Sequence, residues 1–325
     1  MPIRGGEAGD LTKFLIDCDP GHDDAVAILY AARHLDVVGI TTVFGNASVE
    51  NTTRNALAIC TLAGLDLPVA KGFGRPLVGE TTRFAPDGHG KTGIDGAELP
   101  EPGFEPVDQH AVQFIIEQAR AHRGELVLVV IGAQTNVGVA LRLEPRLAGW
   151  LAGISIMGGS PLVGNLQPVQ CVNVLSDPEA AHIVFSSGVP IHWVGYDLTR
   201  TVLIREPDIE RLRGGGRTAR AVADLATFYM GRQRVVLGID GAPMHDSCAV
   251  IPFVRPELIT YRDVPVEVEL HGRLTRGMTV ADLRSIRPGE HVAIQPPKPA
   301  NARLAVDADR RGIIDAVVET VLTYP

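Results

Sequence analysis

The stretch Asp17-Cys18-Asp19-Pro20-Gly21-His22-Asp23-Asp24 constrains this chain more than any other. Four carboxylates fall within eight residues, directly behind the apolar run Phe14-Leu15-Ile16 and ahead of a helical pattern (Ala25, Val26, Ile28, Leu29, Ala32). That order predicts a buried strand, a tight Pro-Gly turn and a helix start, with Asp23 and Asp24 in the first turn where the helix dipole favours negative charge. Acidic residues at a helix start need no special account. Four of them on one turn do, because they repel one another unless something positive sits among them. A hard divalent cation bound by oxygens answers that need, and calcium best tolerates a crowded, irregular cage.

The rest of the chain alternates strand-like and helix-like segments. Predicted strands at 13–18, 37–44, 67–70, 126–131, 154–157 and 191–194 are interleaved with helical patterns near 24–34, 49–63, 108–122, after Thr135, after Asp177 and at 218–236. Strands separated by helices argue for an α/β fold, a mostly parallel open sheet with helices on both faces. The segment 71–106 is Gly- and Pro-rich and carries Asp87-Gly88-His89-Gly90-Lys91-Thr92-Gly93, the composition of a functional loop. Beyond Glu257 the pattern changes. Residues 264–271 alternate like an exposed antiparallel strand, strand-like pieces continue to Ile294, and a final helix spans about 309–322. The expectation is a single domain over residues 1–325 with a β-rich appendage near 260–305.

Composition narrows the setting. The 325 residues are 45% hydrophobic and 21% charged, enough apolar material for a substantial core. A net charge of −8 argues against a nucleic-acid partner. No window approaches the ~18 apolar residues of a membrane span, and Met1 to Asp10 lacks the apolar run of a signal peptide. Cys18, Cys60, Cys171 and Cys248 are scattered, which suggests neither a disulfide framework nor a zinc site and fits a reduced, cytoplasmic location.

In open parallel sheets ligands bind outside the carboxyl ends of the strands. The residues expected there are the four aspartates, Asn46, Thr135-Asn136, Asn165 and Asn173, and His245-Asp246. Oxygen ligands and hydrogen-bonding amides suit a cation and a polyhydroxylated substrate. His245, beside an acid and with an ordinary pKa near neutrality, is the candidate acid for a leaving group. Tyr229 and Gln233 share a helix face.

The fingerprint at 17–24 resembles that of the inosine–uridine type nucleoside hydrolases. Thr42-Val43-Phe44-Gly45-Asn46, Thr135-Asn136, Gly164-Asn165 with Asn173, and Gly241 to Asp246 look like further landmarks of that family, in its order. The resemblance implies the Rossmann-like nucleoside hydrolase fold and calcium-dependent hydrolysis of the N-glycosidic bond of a ribonucleoside through an oxocarbenium-like transition state. It implies calcium held by Asp19, Asp24, the Thr135 carbonyl and Asp246. Asp19 is then the general base, Asp23 binds the 2′-hydroxyl, Asn46 and Asn173 hold sugar hydroxyls, and Asp17 orients a ligand. His89 closes over the base, and Tyr229 and Gln233 lie where relatives contact it. A homotetramer or homodimer serving nucleoside salvage completes the expectation. One departure stands out. Cys171 occupies a position where relatives commonly carry Glu, and a thiol is a poor acceptor. A 5′-modified nucleoside, or a protein that binds nucleoside or ribose without turnover, therefore stays open. A magnesium phosphohydrolase fits less well, since Gly21 stands where Asp-x-Asp phosphatases carry Thr or Val.

Overall fold

A computed structural model describes residues 3, 12–79, 86–286, 295–296 and 298–325. Its strands are β1 (Lys13–Cys18), β2 (Asp36–Thr42), β3 (Val69–Lys71), β4 (Leu126–Val130), β5 (Leu151–Met157), β6 (Ile191–Val194), β7 (Leu203–Ile204), β8 (Ala242–Pro243), β9 (Ile259–Val264), β10 (Val266–Val268), β11 (Thr279–Ala281) and β12 (Ala302–Ala308). Eight of them form one open sheet in the order β3-β2-β1-β4-β5-β6-β12-β9. Every pairing in it is parallel except that of β12 with the edge strand β9.

Why the central strands are apolar throughout follows from their place. β1 and β4 are covered on both faces, so the two-residue period feeds two cores instead of one core and solvent. Phe14, Ile16, Val127 and Val129 join the core built with helices His22–His34, Arg217–Leu237 and Arg310–Leu322. Leu15, Leu126, Leu128 and Val130 join the opposite core, with helices Ala111–Ala121, Thr135–Leu143 and Pro178–Phe185. The same parity turns Asp17 toward the second face. The helix after Gly21 begins at His22, and the Gly21 N–H donates to Asp24 Oδ2 (2.9 Å), a backbone donor otherwise left open at the helix start.

The β-rich stretch near 260–305 needs correcting. Among the described residues of that stretch, only the β10–β11 hairpin stands apart as a two-stranded piece; β9 and β12 extend the main sheet. The expected strand 264–271 is interrupted at Pro265, which has no N–H for a ladder, so β9 ends at Val264 and β10 starts at Val266. The strand-like pieces of 287–294 lie outside the described residues. Helix Glu206–Arg213 was not anticipated, although Glu206-Pro207-Asp208 is the same acidic, proline-bearing start as Asp177-Pro178-Glu179.

The sheet order reverses between β1 and β4, so their connections leave in opposite directions and open a crevice at their carboxyl ends. The rigidity of that edge rests on side chains such as Leu128, fully buried on β4. Leu128→Ala is expected to cost about 2–5 kcal/mol, read as a lowered midpoint in urea unfolding; an unchanged midpoint would show that β4 is not tightly packed.

Candidate active site

Five carboxylates gather at this crevice, all buried. Asp17 Oδ1 accepts from Thr41 Oγ1 (2.6 Å) and Asn136 Nδ2 (2.8 Å), tying β1 to β2 and to the helix after β4. Asp19 Oδ2 accepts from the Asn46 main-chain N–H (2.7 Å). The Asn46 side-chain amide donates to the Asp19 carbonyl (3.0 Å) and to Asp24 Oδ2 (3.2 Å). Asp23, Asp24 and Asp246 each bring an oxygen within 4.8 Å of the others. A Cβ at Gly45 would lie 2.0 Å from Asp19 Oδ2, and one at Gly132 2.6 Å from Asp19 Oδ1. Glycine at both places is what makes room for the carboxylate.

Burial pushes the Asp17 carboxyl up to about 7, against the lowering effect of Asn136 and Thr41. Asp19, Asp23, Asp24 and Asp246 are all raised, by burial first, and repulsion from neighbouring carboxylates adds to this at Asp19, Asp23 and Asp246. Asp24 Oδ1 has no hydrogen-bond partner although it is buried. An orphaned carboxylate oxygen within a repelling cluster is what a bound cation would relieve, and a hard divalent ion fits an all-oxygen set of this kind. The expected ligands Asp24 and Asp246 are together, and Asp23 joins them. Asp19 lies alongside that trio, held by Asn46. Thr135 opens the helix after β4, with its hydroxyl donating to Asp177 Oδ2 (2.7 Å).

Beside the acids lies a cavity of about 570 Å³, a size that suits a small organic ligand. Asp19, Asp23, Asn46, His89, Asn165, Asn173, Tyr229, Gln233, His245 and Asp246 all line it. Asn173 donates through Nδ2 to the carbonyls of Ile131 (2.7 Å) and Met157 (3.1 Å). Because those partners only accept, the amide orientation follows, and Oδ1 is left as an acceptor. Asn46 is arranged the same way. Both suit hydroxyl donors on a sugar. Asn165 turns its Oδ1 to the Val172 N–H (2.9 Å) and so shapes the loop that carries Asn173. Gln233 Oε1 is buried without a partner. Cys171 also lines the cavity, and burial pushes its thiol up to about 11, so it is a neutral thiol there.

The histidines differ from the sequence expectation in their protonation. Burial pushes His245 down to about 3, so its imidazole is neutral at pH 7, with Nδ1 hydrogen-bonded to Thr199 Oγ1 (2.7 Å). The ordinary pKa near neutrality does not survive in that place. His89 comes from the short helix Pro86–His89 inside the long Gly-rich loop and packs on Tyr229, ring centroids 4.9 Å apart. His22, to which the sequence assigned nothing, packs against both. No local signal marks it, since its partners are 67 and more residues away.

Acids that could hold a metal ion, beside a cavity lined with hydrogen-bonding side chains at the switch point of a Rossmann-like sheet, suit a small polyhydroxylated ligand. Comparison with known proteins then gives the family. Residues 14–315 match the inosine-uridine preferring nucleoside hydrolases. The chain is 40% identical over 315 residues, 95% of it and 97% of the relative, to the pyrimidine-specific ribonucleoside hydrolase RihA of Enterobacter sp. (strain 638). Among solved structures, a plant nucleoside hydrolase, the PpNRh1 enzyme, superposes with a TM-score of 0.86 at 30% identity, covering 96% of this chain and 99% of that one. A purine-preferring ribonucleoside hydrolase from Gardnerella vaginalis does so with 0.86 at 30%, covering 95% and 98%. The chain belongs to the inosine-uridine preferring nucleoside hydrolase family, and as an enzyme of that family it is a hydrolase of N-glycosidic bonds.

The raised carboxyls make a stability test. A carboxyl raised on folding keeps its proton in the folded chain after the unfolded chain has lost it, so stability drains away between the ordinary 3.8 and, for Asp17, about 7. In chelator the unfolding temperature should therefore fall as pH rises through the upper part of that window. Added calcium should flatten the fall by taking the place of the protons. The same pH dependence with and without a divalent cation would sink the cage.

Proposed function

We propose that this chain is a calcium-dependent ribonucleoside hydrolase with a preference for pyrimidine nucleosides, releasing free base and ribose. The observation that carries the metal is the unpartnered, buried Asp24 Oδ1 within the Asp23, Asp24, Asp246 trio, of which Asp23 and Asp246 line a cavity with acceptors for sugar hydroxyls. The pyrimidine preference leans on the 40% identity to a relative named as pyrimidine-specific. The match over residues 14–315 supports one catalytic domain.

In this reading Asp24, Asp246 and the Thr135 carbonyl hold the cation together with Asp19, and Asp23 adds its charge. When bound, a divalent cation supplies the charge that eases deprotonation of a water and orients oxygen donors. Asp19 takes the proton from the attacking water as its oxygen bonds to C1′ and the C1′–N bond breaks. Asp23 favours the positive charge that grows on the ribose, and the Oδ1 atoms of Asn46 and Asn173 accept from its hydroxyls. Asp17 holds the helix carrying Asn136 against β1. His89, Tyr229, Gln233 and His245 surround the leaving base; the electron pair of the broken bond goes to it.

Four buried free cysteines support a reducing, cytoplasmic setting. Among the described residues no helix is long and apolar enough to cross a membrane. A dimeric or tetrameric salvage enzyme is the form this reading takes.

The decisive test is release of base from uridine, cytidine, inosine and adenosine, with calcium and with chelator. Uridine and cytidine should be cleaved fastest, chelator should abolish release, and Asp19→Ala should lower kcat by about 10²–10⁴. Chelator-resistant release would overturn the metal, and faster purine release the preference.

Cys171 motivates a second comparison. A buried, neutral thiol offers little to a hydroxyl, so 5′-deoxyuridine should be cleaved about as well as uridine. A tenfold or greater preference for uridine would show that the 5′-hydroxyl is recognised elsewhere.

A further inference from the structure

The loop that leaves β5 brings Asn165, Cys171 and Asn173 to the cavity, yet from Gly158 to Cys171 it belongs to no helix and to no strand of the main sheet. A segment without a ladder of its own has to have its backbone groups met from outside. Part of that support comes from the β10–β11 hairpin, far along the chain. Gln170 donates through Nε2 to the Leu274 carbonyl, between the two strands of the hairpin (2.7 Å). Arg276, close by, makes a two-pronged ion pair with Glu179 (2.8 and 2.9 Å), on the helix Pro178–Phe185 that follows the loop.

A further tie leads toward the sugar acceptors. Thr279, the first residue of β11, is fully buried. Its Oγ1 accepts from the Ser160 N–H (2.8 Å) and donates to the Ser160 carbonyl (3.0 Å). One hydroxyl thus answers both backbone groups of one residue, using its hydrogen and a lone pair. A side chain of the same shape without the oxygen would leave two buried backbone groups unpaired.

Ser160 stands at the end of Gly158-Gly159, two residues that give the chain freedom to swing. Gly159, at φ +69°, also lacks the Cβ that would lie 2.5 Å from Thr279 Cγ2, which is what lets the hairpin come in so close. Gly158 is packed tightly on Asn173, with room for a Cβ only 3.1 Å from Asn173 Cβ. The Met157 carbonyl, leading into the same turn, accepts from Asn173 Nδ2 (3.1 Å). The path from the Thr279 hydroxyl to the Asn173 amide therefore runs through Ser160 and two glycines, each step a close contact.

We propose that Thr279 is a positioning residue for the sugar. By bracketing Ser160 it fixes the Gly158-Gly159 turn on which Asn173 is set, and so holds Asn173 Oδ1 where it accepts from a ribose hydroxyl. The β10–β11 hairpin is then a buttress of the sugar pocket. This deepens the proposed function and rests on it for the identity of the ligand.

The test uses Thr279→Val, which keeps the shape and removes the hydroxyl, and Thr279→Ser, which keeps the hydroxyl. In calcium, Thr279→Val should raise KM for uridine about tenfold, the order of one hydrogen bond, and leave kcat within about threefold. Thr279→Ser should restore the wild-type KM. In an Asn173→Ala background Thr279→Val should cost nothing further, because the two residues act as one unit. Calcium affinity should be equal in all variants. A readout without turnover is hydrogen exchange of the Asn173 side-chain amide in ¹⁵N NMR, its signal identified by its loss in Asn173→Ala. Exchange should be slow in wild type and Thr279→Ser, and faster in Thr279→Val. Should Thr279→Val not fold, Thr279→Ala removes the same hydroxyl and carries the same expectations. A wild-type KM in the variant lacking the hydroxyl overturns the proposal. So do additive penalties with Asn173→Ala, a matching loss of calcium affinity, or unchanged exchange. Exchange as fast as that of an exposed asparagine in wild type overturns it even if neither variant folds. Failure to release base from any nucleoside would count against the hydrolase reading, and the exchange rates would still decide the bracket.

Discussion

Repulsion among Asp17, Asp19, Asp23, Asp24 and Asp246 is the constraint on which the rest of this structure depends. Buried carboxylates that cannot reach water either keep their protons or find positive partners. Here the partners supplied by the protein are weak and few: main-chain N–H groups of Gly21 and Asn46, the hydroxyl of Thr41, and the amides of Asn46 and Asn136. They satisfy some oxygens and leave Asp24 Oδ1 with none. Asp23, Asp24 and Asp246 are thus left short of partners, in a group that could hold a metal ion. Such a deficit is tolerable only on a scaffold stable enough to bear it, as functional sites commonly are.

The scaffold is a sheet with two cores. Alternation along β1 sends Ile16 one way and Leu15 the other, into separate helical layers, so the strand cannot shift register without exposing one set and misplacing the other. That fixes Asp17 and the turn after it. The neighbouring β4 is held equally firmly, and the reversal of order between the two strands leaves their carboxyl ends facing a common crevice. Asp19, Asn173 and His245 come from three separate stretches of chain and line one cavity there.

Much of this was legible beforehand. The strands Lys13–Cys18 and Ile191–Val194 and the helix Val49–Ala63 have the bounds expected of them, since each is a clean apolar pattern between turn residues. Of the acids and asparagines expected at the strand ends, Asp19, Asp23, Asn46, Asn165 and Asn173 line one cavity. The stretch beyond Glu257 was harder. Its strands are short and half-exposed, and alternation alone does not say whether a strand joins the main sheet, as β9 and β12 do, or pairs apart, as β10 and β11 do.

What the sequence by itself determined is the order of elements, the two-sided burial of the central strands and the clustering of oxygen ligands at their ends. These follow from local pattern: hydrophobic period, turn residues and carboxylates adjacent in the chain. Only the tertiary structure decided the protonation of the site. His245 is neutral because it is buried, and Asp17 is raised because burial outweighs its hydrogen bonds from Asn136 and Thr41. Desolvation and hydrogen bonding are set by groups far off in sequence, so no reading of neighbours along the chain contains them.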